Sequence, residues 1–199
     1  MRTENERWSI FLDEILPHIV EVAPIDLFTK LSGMGFFNAP ASRKYHGAYE
    51  GGLFDHSLNV MNALVTLTER EMLCWERPES PYIIGLFHDL CKCDLYTPIH
   101  ENECIATDGN TNLYCPVLKG FEYNENMLLK GHGDKSVMIA SQLMRLTEEE
   151  VLCIRYHMGS FSPSEEWNDY TRAVHKYVNV LFTHTADMLA AHVMEVEND

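Results

Sequence analysis

Residues 81–94 read PYIIGLFHDLCKCD, and the architecture follows from how that string is placed. Pro81 suits the first turn of a helix, where its missing N–H leaves no bond unmade. The run YIIGLFHDLCK is apolar nearly all round, the signature of a helix buried in the middle of a bundle. It closes on an adjacent histidine and aspartate, with a lysine three positions after the aspartate. Buried His and Asp are costly unless something pairs with them, and a divalent metal is the strongest such partner. A metal there needs further ligands from the rest of the chain.

Most of that chain reads as helix. Residues 6–20 and 24–32 carry helical spacing of apolar side chains, and a Gly/Pro/Ala-rich break follows at 33–41. After the Gly51-Gly52 turn, HSLNVMNALVTLTEREM is amphipathic, with Leu58, Met61, Leu64, Val65 and Leu67 on one side. Residues 94–131 change character: turn formers at Asp108-Gly109-Asn110 and Lys119-Gly120 flank short β-prone pieces, LYCPVL and FEY, which predicts a small inserted hairpin. Helical periodicity returns at KSVMIASQLMRL. Thr147 and Glu150 form a capping box before VLCIRYHM. After the loop GSFSPSEEWND, the run YTRAVHKYVNVLFTHTADMLAAHVME predicts one long final helix. The expected fold class is all-α, a compact helical bundle with a β-hairpin insertion around 94–131.

At 199 residues the chain suits a single domain, 1–199, with helices of 1–40 packing on the remainder. Hydrophobic residues are 46% and charged residues 23%, ordinary for a globular protein. The start, MRTENERWSIFLDEILPHIV, carries early acids rather than a basic stretch before an apolar one, and no run is long enough to cross a bilayer. A cytoplasmic location is the expectation, with no membrane partner. The net charge of −15 repels polyanions and disfavours stable nucleic-acid binding, while a bound metal would reverse the local sign for a small anion. Of six cysteines, Cys91, Cys93, Cys104 and Cys115 fit no standard zinc spacing; with Cys74 and Cys153 they read as reduced, structural thiols.

Ten histidines are many for this length, and several fall at helix ends. His56 follows the glycine turn, His88-Asp89 ends the buried helix, His132 lies between two glycines in GHGDKS, and His157 ends the helix after the capping box. Asp187 is on the last helix, with His184 one turn earlier on much the same face. Taken singly, each has an ordinary explanation as a cap or a solvated residue. In this order, each at a helix boundary or face, they form a set of imidazoles and carboxylates suited to Zn, Fe, Mn or Ni rather than Ca.

The segments YHGAYEGGLFDHSLNV (45–60), GLFHDLCKCD (85–94), GHGDKSV (131–137), IRYHMG (154–159) and HTADMLA (184–190) resemble the HD-domain metal-dependent phosphohydrolase superfamily. The GGLxxH and HMG segments are especially similar to those of small bacterial HD hydrolases and of the HD module of certain exoribonucleases. The resemblance spans about residues 43–192. It implies a compact all-α bundle and a first ligand set at His56, His88, Asp89 and Asp187. Members with two further histidines bind two metals, and His132 and His157 match those positions, with Asp89 bridging two divalent transition metal ions. The family often has Gly where this chain has Cys91.

The resemblance further implies hydrolysis of a phosphoester in a nucleotide-like small molecule by a metal-held hydroxide, with Asp89 and Lys92 catalytic. Lys92 would also contact phosphate, beside His46 as a phosphate contact or leaving-group acid and His184 facing substrate. Arg43 and Lys44 make a basic spot in an acidic chain. His18, His100, His175 and His192 join no converging pattern and read as structural. The 94–131 insertion is placed to serve as a lid or substrate wall. Alternatives are a 3′→5′ exonuclease or phosphodiesterase acting on nucleic-acid ends, a mixed-valent di-iron oxygenase on the same scaffold, and a catalytically silent binding module.

Overall fold

The computed structural model describes residues 1–108 and 111–195, with backbone alone at the hairpin tip. Helix α4 (Gly52–Arg70) and helix α5 (Ser80–Phe87) form the centre. They lie so close that a Cβ on Gly85 would fall 2.4 Å from Met61 Cα. Helix α7 (Glu148–Tyr156) packs on α5 and α9 (Asn179–Leu189) on α4, while α6 (Gly133–Leu143) packs on α7 and α8 (Trp167–Lys176) on both α7 and α9. As the all-round apolar pattern requires, every residue from Ser80 to Phe87 except Tyr82 is buried.

The N-terminal run is α1 (Glu4–Ser9), a wider π-type segment (Ile10–Ile15) and α2 (Leu16–Ile19). It starts two residues before the apolar periodicity does, because Thr3 and Glu6 cap it reciprocally. With α3 (Leu27–Gly33) it buries Phe11, Ile15, Leu27 and Leu31 in the same hydrophobic cluster as α4 and α5. Phe36 meets Phe37 and Phe54 edge to face, with Phe37 and Phe54 tilted against each other, and each such side chain contributes about 1.5–3 kcal/mol.

The predicted capping box is present at α7: Thr147 N–H donates to Glu150 Oε2 (2.9 Å) and Glu150 N–H to Thr147 Oγ1 (3.2 Å). The same carboxylate accepts from Arg77 and Ser80, so it also ties α7 to the start of α5.

The long final helix is a misreading. Tyr177 is extended (φ −132°, ψ 102°) and separates α8 from α9. Asn179 is buried and donates to Cys74 O (2.8 Å) and Glu149 Oε1 (2.7 Å), while Tyr177 OH donates to Glu76. Hydrogen bonds to distant elements, invisible to periodicity, decide where the apolar run breaks.

The insertion is one long antiparallel hairpin, β1 (Tyr96–Asp108) with β2 (Thr111–Tyr123). Its predicted turn at 109–110 lies outside the described residues, as does the Cys104 side chain. Lys119-Gly120 is no turn: the register shifts opposite Ile99 and His100, with Gly120 at φ +152°, so this pair makes a bulge. Among the described residues, no helix is long and apolar enough to cross a membrane.

Candidate metal centre

The chain makes this site by ending helices at one point. Gly51 (φ +82°) starts α4 in a conformation open to glycine, and a Cβ on Gly52 would lie 2.0 Å from Gly47 O. That close turn sets His56 in the second turn of α4, wholly inside. Helix α5 ends at Phe87, so His88 caps it and Asp89 (φ −113°, ψ 20°) turns away before a 3-10 turn, Leu90–Asp94. The predicted helix through Lys92 therefore stops five residues sooner. His132 caps α6 and His157 caps α7. A Cβ on Gly133 would meet Arg155 O at 2.0 Å, so the two ends abut and their rings lie 4.9 Å apart. Gly159 (φ +53°) reverses the chain against the His184 ring, one turn before Asp187 on α9.

All six side chains named from the sequence as candidate ligands meet here. His56 Nε2 is 3.1 Å from Asp187 Oδ1, 3.4 Å from His88 Nε2 and 3.7 Å from Asp89 Oδ2. His88 Nε2 is 3.4 Å from the same Asp89 Oδ2. The other oxygen, Asp89 Oδ1, faces His132 Nε2 at 3.0 Å and His157 Nε2 at 3.5 Å. One carboxylate thus divides its oxygens between two sets of imidazoles.

The outer nitrogens are engaged. His88 Nδ1 donates to Gly85 O (2.9 Å), His157 Nδ1 to Ile154 O (2.7 Å), and His56 Nδ1 lies 2.9 Å from Glu195 Oε1. His132 Nδ1 contacts Cys91 Sγ at 3.2 Å. An Nδ1–H given to an acceptor leaves Nε2 with its lone pair, and in all four rings Nε2 faces the cluster. Asp89 Oδ1 and His157 Nε2 are buried without a hydrogen-bond partner, despite their proximity to each other. Orphaned buried acceptors call for a cation. By donor type and spacing, overlapping groups of these residues could hold metal ions, among them His56 with His88 and Asp187, His88 with Asp89 and His157, and Asp89 with Cys91 and His132.

Searches against family models, curated proteins and solved structures return no match. The likeness to HD enzymes therefore stands on the motifs, and the site stands on its geometry.

Its electrostatics are those of cations gathered round two carboxylates. Burial works to raise the Asp89 carboxyl, but Lys92, His88 and His132 hold it well below the usual carboxylate range. Asp187 is likewise held down, by His56 and its neighbours against burial. Burial would lower the His56 imidazole, yet hydrogen bonds to Asp187 and Glu195 push it up to about 9. Burial lowers His88. It raises the Cys91 thiol to about 12, so Cys91 is no thiolate at neutral pH and serves His132 as a hydrogen-bond partner.

Lys92 is not a solvated lysine. Its side chain is 12% exposed and its Nζ lies 2.6 Å from Asp89 Oδ2. It lines a cleft of about 250 Å³ over the cluster, with His46, His132, His184 and Asp187. Met158, Phe161, Met188 and Ala191 make the apolar wall. His184 donates Nδ1–H to His157 O (2.8 Å), which leaves its Nε2 as an acceptor.

Two expectations need correction. Among the described residues, none lining this cleft comes from 94–131, so the described part of the hairpin does not wall it. The hairpin foot instead walls a separate cavity with Gly35, Pro40 and Cys93. His192, read as structural, stands on the cleft wall. Arg43, in the basic spot, lies over the Tyr123 ring of the hairpin. His18 stacks on Tyr82, His100 lines the hairpin cavity, and His175 is exposed.

Sequence reasoning missed Glu195 and Asn59, which donates to the same Glu195 Oε1 at 3.1 Å. It also missed buried Arg7, whose guanidinium binds Asp55 (3.3 Å) and Glu50 O (3.0 Å) beneath the glycine turn. The capping box beside Arg7 was a usable signal for α1. Nothing in the spacing marked Glu195.

Proposed function

We propose that the chain is a metal-dependent phosphohydrolase that cleaves a phosphoester of a nucleotide-like small molecule. The observation that carries this is the division of Asp89: Oδ1 faces His132 and His157, while Oδ2 faces His56 and His88. Two divalent transition ions held this way would supply an activated water and polarise the phosphoryl oxygens together.

The chain's own residues do the rest. Lys92, oriented by Asp89, neutralises charge on a non-bridging phosphoryl oxygen. His46, on the cleft wall, donates a hydrogen bond to the phosphoryl group. His184 accepts one from a hydroxyl of the organic part through Nε2. Met158, Phe161 and Met188 exclude water and give that organic part an apolar face. The chain's net charge of −15 favours a small substrate over the end of a nucleic acid, whose phosphates would be repelled along their length.

The test is metal quantification of the purified protein, followed by a hydrolysis screen of nucleotides and cyclic dinucleotides with Mn²⁺. Two ions per chain are expected. His132→Ala should keep one, Asp89→Ala should keep neither, and His88→Ala and Asp89→Ala should be inactive yet folded. Normal hydrolysis by either would show that the chemistry lies elsewhere. Turnover that instead requires oxygen would assign the centre to a di-iron oxygenase.

A further inference from the structure

His56 differs from the other buried imidazoles in what holds its ring. His88 and His157 close helices, and each donates Nδ1–H to a carbonyl three residues back that the helix end leaves free. His56 sits within α4, where carbonyls are already spent on the helix. Its Nδ1 is met instead by Glu195 Oε1 at 2.9 Å, from the far end of the described chain.

That meeting is built. Between α9 and Glu195 the backbone runs through a π-type segment, Ala190–Met194, and Glu195 N–H donates to Ala190 O (3.1 Å), five residues back. The wider turn changes where residue 195 falls on the helix circumference. Asn59, one turn beyond His56, then donates Nδ2–H to the same Oε1. The Glu195 side chain is 11% exposed, and its Oε2 is buried without a partner.

A carboxylate only accepts hydrogen bonds, so Nδ1 of His56 must carry the proton between them. We infer that Glu195 is a positioning residue: it fixes the orientation and tautomer of His56 so that Nε2 is presented to a divalent transition metal ion, with Asn59 holding Glu195 in turn. This rests on the metal-centre reading above. Such outer carboxylates fix the ring and raise its basicity as a ligand, and losing one typically weakens metal binding about 10–100-fold.

The experiment titrates Co²⁺ and Mn²⁺ into metal-free wild type, Glu195→Ala, Glu195→Gln and Asn59→Ala, each checked by circular dichroism. Glu195→Ala should bind one ion about 10–100-fold more weakly and alter the visible Co²⁺ spectrum, while the other ion is unaffected. Glu195→Gln keeps an accepting oxygen and should recover part of the loss; Asn59→Ala should lose less. Wild-type affinity and spectrum in Glu195→Ala would overturn the positioning role and leave the centre standing. Should Glu195→Ala fail to fold, wild-type affinity in both other variants overturns the role equally. A wild-type protein that takes up neither ion removes the centre itself, and this inference with it.

Discussion

His56 lies between two carboxylates, Asp187 at 3.1 Å and Glu195 at 2.9 Å, and that fixes the sign of a pH effect. In metal-free protein its imidazole is raised to about 9 against an ordinary value of 6.5. The native state then holds more protons than the unfolded chain between those values. Stability from His56 is complete below 6.5 and lost as pH rises through about 9, by no more than about 1.4 kcal/mol per pH unit. His88, lowered by burial, acts on the other side: its neutral native ring makes stability fall as pH drops through 6.5. Burial would lower His157, but the Asp89 carboxylate raises it as well, so melting temperatures measured in chelator should decline from pH 6.5 to 9, and His56→Gln should make that limb shallower without removing it. Metal uptake expels the His56 proton, so stabilisation by Mn²⁺ should grow over the same window. A chelated protein whose melting is level across it would contradict the assigned pairing. Five of the six inward side chains were legible because each sits beside a boundary signal, a glycine turn, a proline-started helix or a capping box, while Asp187 was legible from the helix face it shares with His184. Glu195 was not, because its relation to His56 spans 139 residues and depends on a π-type turn that no periodicity announces.

At the level of elements the centre depends on how closely α4 and α5 approach, since one carries His56 and the other ends in His88. Gly85 sets that distance: an added Cβ would lie 2.4 Å from Met61 Cα and 2.7 Å from Met61 N, both backbone atoms that no rotamer change can move. Alanine there gains about 1 kcal/mol of helix propensity but overpacks a rigid contact at a cost of about 3 kcal/mol or more. Gly85→Ala should therefore lower unfolding free energy by about 2 kcal/mol in urea titration and weaken metal uptake as the helices part. Gly33→Ala, with nothing within 4 Å of the new methyl, is the control and should cost nothing. Equal denaturation midpoints for the two would mean the helices yield more easily than close packing allows. The buried helix, the α7 cap and the existence of a hairpin could all be read from local chemistry. The break at Tyr177 could not, since it is imposed by Asn179 reaching Cys74 and Glu149. Nor could the hairpin's aim: strand pattern announces pairing but not direction, and its foot is turned to Pro40 and Cys93 instead of the cleft.

For the whole molecule, the same six side chains that would make the site also weaken the fold when left empty. Asp89 and His157 each bury a polar atom without a partner, inside a chain of net charge −15 whose compact state already repels itself. Two divalent cations would answer both problems together, filling the orphaned positions and cancelling charge at the centre. A ligand that binds only the native state adds about 2.7 kcal/mol when its concentration is 100 times its dissociation constant. In a chain of this size each kcal/mol moves the midpoint by about 2–4 °C, so saturating Mn²⁺ should raise melting by about 5–10 °C per tightly held ion. Chelation should reverse the gain, and scanning calorimetry of Asp89→Ala should show neither change, because that one residue serves both sides of the cluster. The contrast separates binding at this centre from general screening by salt, which would stabilise wild type and Asp89→Ala alike. If Mn²⁺ raises both midpoints equally, the cations act on the acidic surface, and the convergence of the helix ends needs another explanation.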